Sequence, residues 1–303
     1  MVRFRRLMMA VAPVAAVVML AGCGTPAGVD KNLVDEWAML AAPKVPSPPL
    51  GACYDSTVPY FETDTLTIFS FTAAASCTTA HISETFYVGE LSGTAASATS
   101  PPKGADLKDA WTKCNTEAQT FLGGDYHDGR LEMIVLPPSS AQWSGGGRYF
   151  RCDLAEVQSD AGKPVSRTSS LKGGLTGDKP IALTCAQETY EADGKTWEDY
   201  EPTACTATHN MEYVGTYFAG ERAFPKTADE RRAAMRTGCE ALGAKFLGMT
   251  QSTLDNHQEV GIGFWMVDEE NWLRSNRSAR CYAMLYDKKS TIRSLKGIGT
   301  GKI

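Results

Sequence analysis

The sequence predicts an α+β protein built as two tandem, disulfide-bridged domains, each a small, mainly antiparallel sheet with one principal helix. Three observations carry this reading. The stretch CTTAHISETFYVG, Cys77 to Gly89, returns as CTATHNMEYVG, Cys205 to Gly215, so a Cys-x-x-x-His-x-x-Glu spacing occurs twice. Eight cysteines fall into two sets of four in the same relative order: Cys53, Cys77, Cys114, Cys152 and Cys185, Cys205, Cys239, Cys281. The hydrophobic period also changes from strand-like to helical and back in the same sequence in both copies.

The strands come first. TLTIFSFTAAASC and ETFYVGEL carry the β-branched and aromatic residues of strands, as do RLEMIVL and RYFRCDLAEV later in the first copy. Between them, DLKDAWTKCNTEAQTFLG places Trp111, Cys114, Ala118 and Phe121 on one helical face, with Asp106 as N-cap and Gly123 as stop. In the second copy Thr227 and Glu230 have capping-box spacing, and Met235, Cys239, Leu242 and Phe246 form the apolar stripe. Each domain therefore reads as three strands, one helix and two strands. FLG follows both helix cysteines, at Phe121–Gly123 and Phe246–Gly248. Trp143 and Trp272 stand nine residues before Cys152 and Cys281, and SLKG recurs at Ser170–Gly173 and Ser294–Gly297. Composition sets the boundaries: a tether over 23–50, a first domain over 51–160, a Gly/Ser/Lys/Pro-rich exposed linker over 161–180 and a second domain over 181–303.

The N-terminus has three arginines, an apolar run from Leu7 to Leu20, and small residues before Cys23. This is the pattern of a secretory signal over residues 1–22, and the run is short for a membrane span, which needs about 20 apolar residues. Leu20-Ala21-Gly22-Cys23 resembles the bacterial lipobox, which implies lipidation at Cys23 and a mature chain held to the outer face of the cell membrane by acyl chains. Loss of Arg3, Arg5 and Arg6 leaves 27 basic against 35 acidic side chains, a net charge of −8. That balance excludes a polybasic membrane patch and argues against nucleic acid as a partner.

With Cys23 assigned to lipid, an even set of eight cysteines in an exported chain reads as disulfides. Four cysteines allow three connectivities per domain. The favoured one joins neighbouring elements: Cys53–Cys77, Cys114–Cys152, Cys185–Cys205 and Cys239–Cys281. No two cysteines have the two-to-four-residue spacing of zinc knuckles.

Together these residues resemble the septum formation domain family of actinobacterial envelope proteins. Gly51-x-Cys53, Cys77, His81, Glu84, Cys114, Pro138, Trp143, Gly146, Arg148 and Cys152 carry the likeness in the first copy. Cys185, Cys205, His209, Glu212, Cys239, Trp272 and Cys281 carry it in the second, which has DEENWLRSNR around its tryptophan. The resemblance implies an extracytoplasmic, cysteine-bridged domain linked to septation, without a defined biochemical activity.

Three chemical readings compete for the repeated motif. As an enzyme, Cys77 would be a nucleophile with His81 as base and Glu84 orienting it, but a thiolate must stay free and Cys77 belongs to an even set. As a metal site, His81, Glu84 and His127, or His209, Glu212 and His257, would offer two imidazoles and a carboxylate. Residues three apart on a strand, however, point to opposite faces. As framework, each His would hold a backbone carbonyl or the nearby Glu where the chain enters the sheet. The tryptophans read as packing, and Arg148, Arg151 and Arg280 as solvated or surface-paired. The framework reading carries most weight. It predicts no cofactor, no metal and no catalytic residue, and a non-enzymatic binding or scaffold module with an envelope or division protein as partner. The rival is a metal-dependent or hydrolytic envelope enzyme.

Overall fold

The computed structural model describes residues 45–54, 73–74, 76–160, 162–193 and 197–303. The signal segment, Cys23, most of the tether, and most of TLTIFSFTAAASC lie outside them. Residues from Lys44 to Ile303 form one compact unit.

Among the described residues, ten strands make two five-stranded sheets. The first contains β1 (Cys53–Tyr54), β2 (Ala73–Ala74), β3 (Ser83–Glu90), β4 (Leu131–Leu136) and β5 (Tyr149–Glu156). The second contains β6 (Cys185–Tyr190), β7 (Trp197–Thr203), β8 (Met211–Phe218), β9 (Val260–Met266) and β10 (Ser278–Leu285). The sheet orders are β2-β1-β3-β5-β4 and β7-β6-β8-β10-β9, and all pairings are antiparallel. The duplication reaches the level of irregularities. The β3–β5 register shifts between Thr85 and Tyr87, opposite Cys152, and the β8–β10 register shifts at Cys281. In each copy the extra residue of the bulge sits beside the bridged cysteine of the last strand.

The principal helices, α1 (Lys108–Leu122) and α2 (Ala228–Leu247), lie between the third and fourth strands of their sheets. α1 buries Ala110, Trp111, Cys114, Ala118 and Leu122, and α2 buries Met235, Cys239, Gly243, Ala244 and Leu247. The stripes turn slightly from expectation: Phe121 and Leu242 are half-buried while Leu122 and Leu247 go fully inside. Thr227 and Glu230 form the expected capping box. Asp106 is not the cap of α1. It lies in the 3₁₀ turn Gly104–Leu107, which leads directly into the helix and puts Leu107 at the N-cap. Gly123 and Gly248 end the two helices in the left-handed region, with φ of 75° and 70°, where a side chain would be strained.

Four bridges join Cys53–Cys77, Cys114–Cys152, Cys185–Cys205 and Cys239–Cys281, with Cα–Cα separations of 5.3, 5.6, 5.1 and 5.4 Å. Cys114, Cys152, Cys239 and Cys281 have no solvent exposure, so these two bridges tie each helix to the last strand through the core.

The segment 161–180 differs from an exposed connector. Leu171 and Leu175 are buried in the first core beside Leu122 and Leu131, together with Ile181. The polar and glycine residues around them turn the chain tightly enough to deliver both leucines to that core. Full burial of one leucine contributes about 1.5 to 3 kcal/mol.

Candidate functional site

Each His-x-x-Glu motif stands where the chain enters the third strand of its sheet. His81 precedes β3 and exchanges two backbone hydrogen bonds with Arg167, both at 2.9 Å; His209 precedes β8 and does the same with Thr291. Both imidazoles are fully buried, and each Nδ1 faces the carbonyl two residues earlier, Thr79 at 2.7 Å and Ala207 at 2.8 Å. Because each histidine lies ahead of the strand proper, strand alternation does not govern the pair. His209 Nε2 stands 2.9 Å from Glu212 Oε1, contrary to the expectation that residues three apart diverge.

The glutamates are held by the recurring SLKG. In the first copy Ser170 Oγ donates to both Glu84 oxygens, at 2.8 and 3.0 Å, and the Leu171 amide donates to Oε2 at 2.8 Å. In the second, Ser294 Oγ donates to Glu212 at 2.9 Å and the Leu295 amide at 2.6 Å. The leucine after each serine fills a core, so one short segment anchors a side chain and satisfies a buried carboxylate together. This clamp was visible in the sequence only as a repeat. The glutamate of each repeated motif stood out too, but nothing local linked it to a serine more than 80 residues downstream.

Two clusters have metal-type donor atoms within 4.8 Å of one another: Cys53, Cys77 and Glu84, and Cys185, His209 and Glu212. Their sulfurs are joined in disulfides and offer no thiolate. For the same reason Cys77 is no free nucleophile. Among the described residues, neither cluster includes His127 or His257.

His127 instead lies at the seam between the copies. Its Nδ1 stands 2.6 Å from Asp125, its Nε2 is 3.2 Å from Asn276 of the second copy, and its ring meets Phe218 edge-on at 5.0 Å. Burial works to raise the Asp125 carboxyl, but the His127 ring and backbone N–H, with Arg280, hold it below the usual range. His257 is a loop staple, its Nδ1 accepting from the Glu259 and Val260 amides at 3.2 Å.

The arginines are structural rather than solvated. Arg148 stacks 3.7 Å over Trp143 and donates to the carbonyls of Ala96, Trp143 and Gly147. Arg151 is buried against Asp153 at 2.8 Å and lies over the Tyr54 ring at 4.4 Å. Burial pushes the Asp153 carboxyl up, against the pull of Arg151 and Thr85. Arg280 crosses the seam, donating to Asp160 at 2.6 Å, the Leu131 carbonyl at 2.6 Å and the His127 carbonyl at 3.3 Å. Tyr282 adds a 2.6 Å bond to Asp160, and Tyr213 reaches Asp128 at 2.7 Å. Asp160, Asn276 and Tyr282 could not be singled out from the sequence, because their role depends on how the copies face each other. Both tryptophans are buried packing residues whose Nε1 groups donate to the carbonyls of Ala98 and Arg222.

Among the described residues, no helix is long and apolar enough to cross a membrane. A family model described as septum formation matches residues 61–281 in one span that runs through both copies and the segment between them. No curated protein and no solved structure matches the chain. With that match over most of its length, set on a doubled bridged sheet with a clamped motif glutamate in each half, the chain belongs to the septum formation family.

Proposed function

We propose that the protein is a lipid-anchored module on the extracytoplasmic face of the cell membrane, binding or scaffolding envelope partners without catalysis, in septum formation or cell-wall assembly. The observation that carries the non-enzymatic part is the engagement of both motif glutamates by the fold's own donors. Glu212 is engaged by His209, Ser294 and Leu295, and Glu84 by Ser170 and Leu171, while the buried His81 Nε2 of the first copy has no hydrogen-bond partner among the described residues. Family membership supports a role in division. The lipobox-like Leu20–Cys23 and the paired cysteines support export and anchoring. Two similar sheets on one anchor present a broad surface at the membrane, where tethering raises effective concentration toward a partner.

The test is crosslinking in living cells with photoreactive residues placed on the exposed faces of the full chain, read by mass spectrometry. The expected result is recovery of an envelope or division protein, and release of a Cys23→Ala variant from the membrane fraction. Turnover of a wall fragment by the purified protein, abolished by Glu84→Gln, would instead make it an enzyme.

A further inference from the structure

The two sheets close their free edges differently. β7 and β9 are the outer strands of the second sheet. β7 carries Glu198, Asp199, Glu201 and Pro202, which blunt an edge, whereas β9 (VGIGFWM) has no charge and no proline and keeps an unbroken register with β10. On the matching edge of the first sheet, β4 contains Glu132, and Arg280 occupies its Leu131 carbonyl at 2.6 Å. β9 has neither safeguard.

The bonds at the two ends of β9 fix where its polar groups point. Tyr286 donates to the Glu259 carbonyl at 2.9 Å and Val267 to the Ser278 carbonyl at 3.3 Å, so Gly261, Gly263 and Trp265, in phase with them, aim N–H and C=O at β10. Ile262, Phe264 and Met266 therefore aim theirs away from the sheet. The Val260 amide, which also points outward, is taken by His257 Nδ1 at 3.2 Å. Among the described residues, no backbone group pairs with the outward N–H and C=O of Ile262, Phe264 and Met266.

We propose that β9 is a self-recognition edge: two molecules of this chain pair antiparallel about a two-fold axis at Gly263 and join their second sheets. The strand's own complementarity identifies the occupant. In this register Ile262 faces Phe264 of the partner subunit and the two exchange both backbone bonds, while Val260 faces Met266 of the partner subunit. Gly261 faces Trp265 of the partner subunit, so the largest side chain of the strand lies opposite a residue with none. That indole also meets Tyr286, whose hydroxyl end lies over Gly261 and whose side chain is otherwise exposed. Charge agrees with the same axis. Asp268 and Glu269 fall opposite Gln258 and His257, whereas an axis at Phe264 would set Glu259 against Glu269, and like charges directly opposite are destabilising.

The test introduces Gly263→Cys into the full chain in cells that produce it. The axis sets position 263 against itself in a non-hydrogen-bonded pair, with Cα atoms about 4.5 Å apart and within disulfide reach. The added side chain meets only Met284, which is flexible. Mild oxidation should yield a species of twice the chain's mass on non-reducing electrophoresis, with position 263 joined to position 263 by mass spectrometry. Ser290→Cys, at an exposed site outside the strand, should stay monomeric. A monomeric Gly263→Cys, equal crosslinking of both variants, or linkage of position 263 to an unlike protein overturns the proposal. A second measurement needs no variant. Residue-resolved amide exchange of the wild-type chain should show Ile262 and Phe264 protected in concentrated samples and losing that protection on dilution, while Gly261 and Gly263 keep theirs. If Ile262 and Phe264 exchange as fast as exposed amides at every concentration, the edge pairs with no second molecule.

Discussion

The two copies place an arginine immediately before the last cysteine, and they use it in opposite ways. Arg151 turns onto its own sheet, where Asp153 and Tyr54 hold it. Arg280 leaves its sheet and binds Asp160 and two carbonyls of the other copy. The flanking strands diverge in the same sense. By register, Glu132 and Ile134 on β4 correspond to Gly261 and Gly263 on β9. The first copy puts side chains against the seam, while at Gly261 and Gly263 the bare backbone is overlain by Tyr286 and Met284 of its own copy. The difference teaches that duplication has kept the interior and reassigned the exterior. Bridges, bulges, clamps and tryptophans agree between copies, and the residues facing outward do not.

Breaking the seam should cost most. Arg280→Ala strands the Asp160 carboxylate in a buried site, and removing one partner of such a pair costs about 3 to 5 kcal/mol. Amide exchange should accelerate on both β4 and β10, whereas Arg151→Ala should confine the damage to the first copy. Equal exchange patterns for the two variants would contradict the division of labour between the arginines.

The clamps come next. Glu212→Ala leaves the Ser294 hydroxyl, the Leu295 amide and the His209 ring without their acceptor, and each unsatisfied buried group costs about 1 to 3 kcal/mol. Glu84→Ala orphans only the Ser170 and Leu171 donors, so urea denaturation should show a smaller loss. The reverse order would mean that the His209 contact contributes nothing to the clamp.

The smallest expected effect is at the helix caps. Thr227→Ala removes the hydroxyl that caps the 20-residue α2, a loss of about 1 kcal/mol. Ser139→Ala removes the same capping box from a five-residue helix already pinned by the buried Trp143, and should cost less by thermal unfolding.

Much of this was legible in the chain because the signals were local or repeated. The strand segments around Thr85 and Leu154, the stripe from Met235 to Cys239, the cap at Thr227 and the stops at Gly123 and Gly248 each depend on neighbours within a few residues. Leu171 and Leu175 were hidden because a composition rich in glycine, serine and lysine outweighs two apolar residues in any window. Asp106 has the chemistry of a cap, but the 3₁₀ turn displaces it from the helix start. The seam was illegible for a deeper reason. Arg280, Asp160, Asn276 and His127 acquire their roles only from the mutual placement of two copies, which no periodicity encodes.

The SLKG clamp also has a kinetic consequence. Ser170 meets Glu84 across 86 residues and Ser294 meets Glu212 across 82, and each serine follows every strand of its own sheet. Contacts of such long sequence separation form slowly, because the intervening chain must first be ordered. The clamp is therefore expected to fasten after its sheet has been laid down, as a latch does. A folding intermediate with complete strands and an open latch would carry a buried, unsatisfied glutamate in each half. Completion of the fold is thus registered at a single side chain per copy, and a misassembled sheet would leave that side chain searching for a donor.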